Sequence, residues 1–123
     1  MIVVRRSDFP DPEPGEPGRF DGEVELSKAI EEAQSGGIRV YLVSFQPGAR
    51  TYWHAHEGEQ VLSVVEGRGR VQLWGQNVRE MGAGDLVHVA PGEKHWHGAE
   101  PNHDMSHLAI TDGLTTWMEK VDD

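Results

Sequence analysis

The chain has 123 residues, 11 of them lysine or arginine and 21 aspartate or glutamate, for a formal charge of -10; 37% are apolar and none is cysteine. That length fits one domain around one core, and the missing thiols exclude both a disulfide framework and a thiolate metal site. An acidic surface without a lysine and arginine cluster repels phosphate backbones, so nucleic acid is not an expected partner.

The opening Met1 to Val4 is too short for a signal peptide or anchor and runs at once into Arg5 and Arg6. A cytoplasmic protein without a membrane partner is therefore expected. From Phe9 to Gly22 the chain holds four prolines and three glycines. This density predicts an arm over residues 1–22, without helix or sheet ladder, ahead of a single domain over 23–123. Glu23 to Leu26 alternates like a short strand, and Lys28 to Gln34 has helical propensity that ends at Gly36 and Gly37.

From Ile38 onward the chain reads as short β runs: IRVYLVSF, RTYWHAH, QVLSVVEG, GRVQLW, DLVHVA, KHWHG and MSHLAIT. Pro47-Gly48, Glu57-Gly58, Gly67 to Gly69, Gly82 to Gly84 and Pro91-Gly92 separate them. The pattern predicts an all-β sandwich or barrel. Trp53, Trp74 and Trp96 fall on these runs and are expected to pack between sheets or across a subunit interface.

The histidines carry the chemistry. Residues two apart in a strand share a face, so His54 with His56, and His95 with His97, can each aim two imidazoles at one spot. Nitrogen and oxygen donors without thiolate suit manganese, iron, zinc, nickel or copper. Gln60 shares a face with Leu62 and Val64 and reaches the same place if that face is inward. Glu57 and Glu59 flank Gly58 and are expected to cap a solvated turn. His107 shares a face with Met105 and Ala109. His88 is expected in sheet packing or at the surface, and His103 in a solvated loop.

These residues carry a resemblance. Gly48, His54, His56, Gln60 and Gly67 have the spacing of the first cupin motif, with Gln60 where most members have glutamate. Gly84, Ala90, Gly92 and His95 resemble the second, with Ala90 at a position where proline is usual and Ala99 where asparagine often ends the motif. Trp53 to His56, Pro91 to Ala99, Pro47 to Thr51 and Met105 to Ile110 resemble the small cupins of the manganese-dependent hydroxynitrile lyase type. The likeness runs from about Phe20 to Met118, with Glu59 standing where that group has glycine.

The resemblance implies a cupin jelly-roll barrel of two antiparallel sheets behind an N-terminal Pro/Gly-rich arm. It also implies one divalent transition metal per subunit, manganese favoured over zinc, iron or nickel, held by His54, His56, Gln60 and His95. Four neutral ligands would leave the ion its full charge. His107 is the candidate general base, or else a residue that only orients a ligand. His97 is expected to line the pocket, with Val43 and Thr111. Tyr41 would narrow the pocket and add a hydroxyl that either serves proton transfer or excludes aromatic cyanohydrins. The expected function is a metal-dependent enzyme on a small oxygenated substrate, such as a cyanohydrin-cleaving lyase. The alternatives are a metal-dependent dioxygenase and a non-catalytic metal- or ligand-binding cupin. A homodimer is expected from exposed strand edges and the arm.

Overall fold

The computed structural model describes residues 1–123, the Gln34 side chain apart. The elements in chain order are a 3-10 turn at Arg6–Asp8, β1 Glu13–Pro14, β2 Phe20–Asp21, β3 Val24–Ile30, α1 Glu32–Ser35, β4 Arg39–Phe45, β5 Arg50–Thr51 and β6 His54–His56. They continue with β7 Gln60–Leu73, β8 Arg79–Gly82, β9 Leu86–Val89, β10 His95–Ala99, β11 Met105–Thr111 and β12 Thr115–Trp117. All strand pairs are antiparallel and form two sheets that share β7, which links them into one curled array in the order β1-β3-β4-β11-β7-β10-β5-β2. β9 and β8 pair with successive halves of β7, while β6 joins β10 to β12. The all-β jelly-roll expectation holds in this half-barrel. No helix among the described residues is long and apolar enough to cross a membrane.

Alternation places the core. Val43 and Phe45 of β4, Leu62 and Val64 of β7, and Met105 and Ala109 of β11 point inward to meet Met81 and Ala99 across the barrel. Each fully buried large side chain of this kind contributes roughly 1.5–3 kcal/mol. A second cluster joins Trp53, Trp96 and Val121 on the other side of β10.

Four expectations need correction. The arm is not free of ladders: Glu13 and Pro14 pair with Leu26 and Glu25, and Phe20 and Asp21 with Thr51 and Arg50. Pro14 lies on an edge strand, where the missing N–H costs no ladder bond. The arm thus crosses from one sheet to the other. Lys28 to Ile30 belong to β3, and the helix is the single turn Glu32–Ser35, because Lys28 pairs with Tyr41 in the ladder. Trp53 and Trp74 lie outside the strands, and Trp74 is 54% exposed, edge-on to Trp53 and under the Lys94 ammonium.

The fourth concerns Gly67 to Gly69, which do not end a strand. β7 runs through them as one strand of 14 residues, with a bulge opposite Ser106 and His107. Gly67 has φ +81°, and a Cβ there would overlap the Asp104 carbonyl. The glycines let one strand bend from sheet to sheet. Gly67→Ala is expected to destabilise the protein by more than about 2 kcal/mol, read from the shift of its urea midpoint.

Candidate metal centre

The bend in β7 and the curl of the sheet bring four elements to one end of the barrel. β6 supplies His54 and His56, the start of β7 supplies Gln60, β10 supplies His95 and His97, and β11 supplies His107 and Thr111. His54 and His95 are register partners, with ring centroids 4.3 Å apart. The His56 ring is 5.0 Å from His54 and 5.4 Å from His95. His97 is 5.3 Å from His54 and 5.7 Å from His95. One ligand atom each from His54, His95 and His97 falls within 4.8 Å of the others. Sequence reasoning placed His97 at the pocket wall; the structure brings it into this group as well.

Burial is the main cause of the electrostatics. It holds His54 and His97 well below the ordinary histidine value, lowers His95, and brings His56 and His107 to about 4. The neighbouring imidazoles push His54, His56 and His97 further down. All five are neutral at pH 7, which is the form that ligates metal.

Hydrogen bonds then assign the protons. His54 Nδ1 donates to the Tyr52 carbonyl at 2.8 Å, and His95 Nδ1 to the Glu93 carbonyl at 2.9 Å. A neutral ring has one N–H, so both Nε2 atoms are lone pairs. Gln60 Nε2 donates to Thr111 Oγ1 at 2.9 Å, which turns its Oε1 to within 3.1 Å of His95 Nε2. Two acceptors therefore face each other, an arrangement that a cation satisfies. Among the described residues, His56 Nε2, His97 Nε2 and His107 Nδ1 are buried without a hydrogen-bond partner. The donor set fits a divalent transition metal.

A cavity of about 350 Å³ opens onto this group. His54, His56, Gln60, His97, Thr111, Tyr41 and Val43 are on its wall. Burial raises the Tyr41 phenol, so it meets the cavity as a protonated hydroxyl. His95 and His107 are not among the lining residues. His107 is fully buried behind His97, with its Nε2 2.9 Å from His97 Nδ1 and its ring against Phe45. His88 is at the surface beside Glu59, and His103 in an exposed loop beside Glu100.

Sequence reasoning missed part of the wall. Trp117 stacks on His54 with centroids 4.6 Å apart, and Thr115 meets His56 Nδ1 at 2.8 Å; both come from β12, which pairs with β6. Alternation along Thr115, Thr116 and Trp117 was the available signal. The arm contributes Glu13, Glu16, Arg19 and Phe20, and Lys28 and Arg39 complete the mouth.

Comparison with known proteins identifies the family of this fold. The cupin domain family model matches residues 41–111. The (R)-mandelonitrile lyase of Granulicella tundricola is 43% identical over 108 residues, covering 85% of this chain and 82% of that protein. A cupin-like protein of Thermotoga maritima superposes with a TM-score of 0.88 at 35% identity, over 94% of this chain and 90% of that one. The polyketide cyclase RemF of Streptomyces resistomycificus superposes at 0.79 with 25% identity, over 100% of this chain and 87% of its own. The chain belongs to the cupin family, and within it resembles the hydroxynitrile lyase type.

Proposed function

We propose that this protein is a metal-dependent lyase that cleaves a small cyanohydrin to an aldehyde and hydrogen cyanide. The observation that carries this reading is the unpartnered His97 Nε2, which stands on the cavity wall beside the candidate ligands with a second histidine behind it. Identity to a mandelonitrile lyase supports the substrate class. His54, His56, Gln60 and His95 would hold the ion, manganese in our reading. When bound, it supplies Lewis acidity that makes a nearby hydroxyl more acidic.

The proton chemistry falls to His97. In the tautomer in which His97 Nδ1–H donates to His107 Nε2, the His97 Nε2 is a lone pair that accepts the substrate hydroxyl proton. The C–CN bond then breaks, cyanide leaves with the bonding electrons, and the C–O bond becomes a carbonyl. His97 returns the proton to cyanide. His107 acts through His97: it accepts the Nδ1–H and so steadies the imidazolium, as an orienting group does in a catalytic triad. This role joins the two sequence readings of His107, because its ring is near the chemistry but does not reach the cavity. Tyr41 is a hydroxyl donor on the cavity wall.

Benzaldehyde release from mandelonitrile, followed by absorbance, tests the reading. Activity is expected to vanish on chelation and to return with manganese. A protein that carries stoichiometric metal yet cleaves neither mandelonitrile nor an aliphatic cyanohydrin sinks the lyase reading.

A further inference from the structure

Thr115 stands between the candidate centre and an arginine that the proposed reaction leaves unused. Its Oγ1 lies 2.8 Å from His56 Nδ1 and 3.0 Å from Arg39 Nη2. Arg39 is held firmly, since its Nη1 donates to the Gly113 carbonyl and to Glu32 Oε1, each at 2.7 Å, and its side chain is 14% exposed. A guanidinium only donates, so Arg39 occupies one lone pair of the hydroxyl oxygen.

The second lone pair is decided by His56. A histidine that binds an ion through Nε2 carries its proton on Nδ1, and here that N–H meets Thr115 Oγ1. The hydroxyl has two lone pairs and one hydrogen, so only the hydrogen is left. Thr115 is half-buried and lines the cavity, as do Arg39 and His56. The hydrogen is therefore available to a molecule inside it.

We propose that the Thr115 hydroxyl is a hydrogen-bond donor for the acceptor end of a small bound molecule, a nitrile nitrogen or a small anion, and that Arg39 sets it in that role. This rests on the reading of His56 as a ligand through Nε2. Two N–H groups donating into one oxygen polarise its O–H and strengthen it as a donor. The backbone builds the arrangement, because Thr115 and His56 are register partners of β12 and β6. The cavity then offers an acceptor at His97 Nε2 and a donor at Thr115. That pair complements a ligand with a hydroxyl at one end and an acceptor such as a nitrile at the other.

Azide, a linear anion close to cyanide in size, is the probe. Its affinity for metal-saturated protein is measured by calorimetry for wild type, Thr115→Val, Thr115→Ser and Arg39→Met, with metal content and melting temperature checked in each. Zinc-loaded, ¹⁵N-histidine-labelled protein reports the His56 tautomer independently by NMR. Thr115→Val is expected to weaken azide binding about 5–10-fold, the loss of one hydrogen bond, while Thr115→Ser stays within about twofold and Arg39→Met falls between them. Unchanged azide affinity in Thr115→Val, with His56 Nε2 bound to zinc, overturns the proposal alone. A His56 that keeps its proton on Nε2 in the zinc-loaded protein overturns the ligand reading and the proposal together.

Discussion

His97→Ala is expected to keep its metal and lose about 10³-fold in kcat/KM on mandelonitrile, whereas His54→Ala loses the metal itself. The two imidazoles are 5.3 Å apart and both buried, so burial does not separate them. Their bonds do. His54 is oriented by a backbone carbonyl and stacked on Trp117, which leaves Nε2 as a fixed lone pair among the rings of His56 and His95. His97 is oriented by another titratable ring, lines the cavity, and has a buried Nε2 without a hydrogen-bond partner. A positioned general base contributes about 10²–10⁴ in rate. Metal analysis beside kinetics makes the distinction. Loss of metal from His97→Ala would move His97 into the ligand set with His54 and His95, whose ligand atoms lie within 4.8 Å of its own, and would falsify its role as base.

The metal-free protein is expected to lose much of its stability between pH 6.5 and 4. Burial lowers all five histidines of the centre, and His56 and His107 sit at about 4. The unfolded chain binds protons at these residues from about pH 6.5 downward, whereas the folded chain resists, at His56 and His107 until about 4. Protons thus favour the unfolded state throughout that window, and stability rises with pH across it. For His107 alone, with its folded value of about 4, the loss at pH 5 is about 2 kcal/mol. Urea midpoints of chelated protein at pH 7, 6 and 5 check this. A flat profile would mean that the histidines are not held neutral by burial. Manganese at saturating concentration is expected to raise the pH 7 midpoint, because an ion that prefers the donor set assembled by folding stabilises the folded state.

What was legible in the sequence was whatever a period of two decides. The all-β architecture and the inward faces of β4, β7 and β11 follow from alternation, as does the shared face of His54 with His56 and of His95 with His97, whereas the set of His54, His56, Gln60 and His95 came with the cupin resemblance. Side-chain direction in a strand is local, so spacing is enough. The helical reading of Lys28 to Gln34 failed because pairing with β4 overrode a weak propensity. Gly67 to Gly69 misled because a glycine marks a bulge as readily as a turn, and only the partner strand decides which.

The tertiary structure alone decided which side chains stand in front of which. It set His107 behind His97, brought Thr115 and Trp117 onto His56 and His54, and laid the arm from sheet to sheet beside the cavity. Each of these pairings joins different elements: His97 and His107 come from two strands, 10 residues apart, and Thr115 lies 59 residues beyond His56. Local pattern fixes the face a residue presents, while depth behind that face depends on strands the pattern does not name.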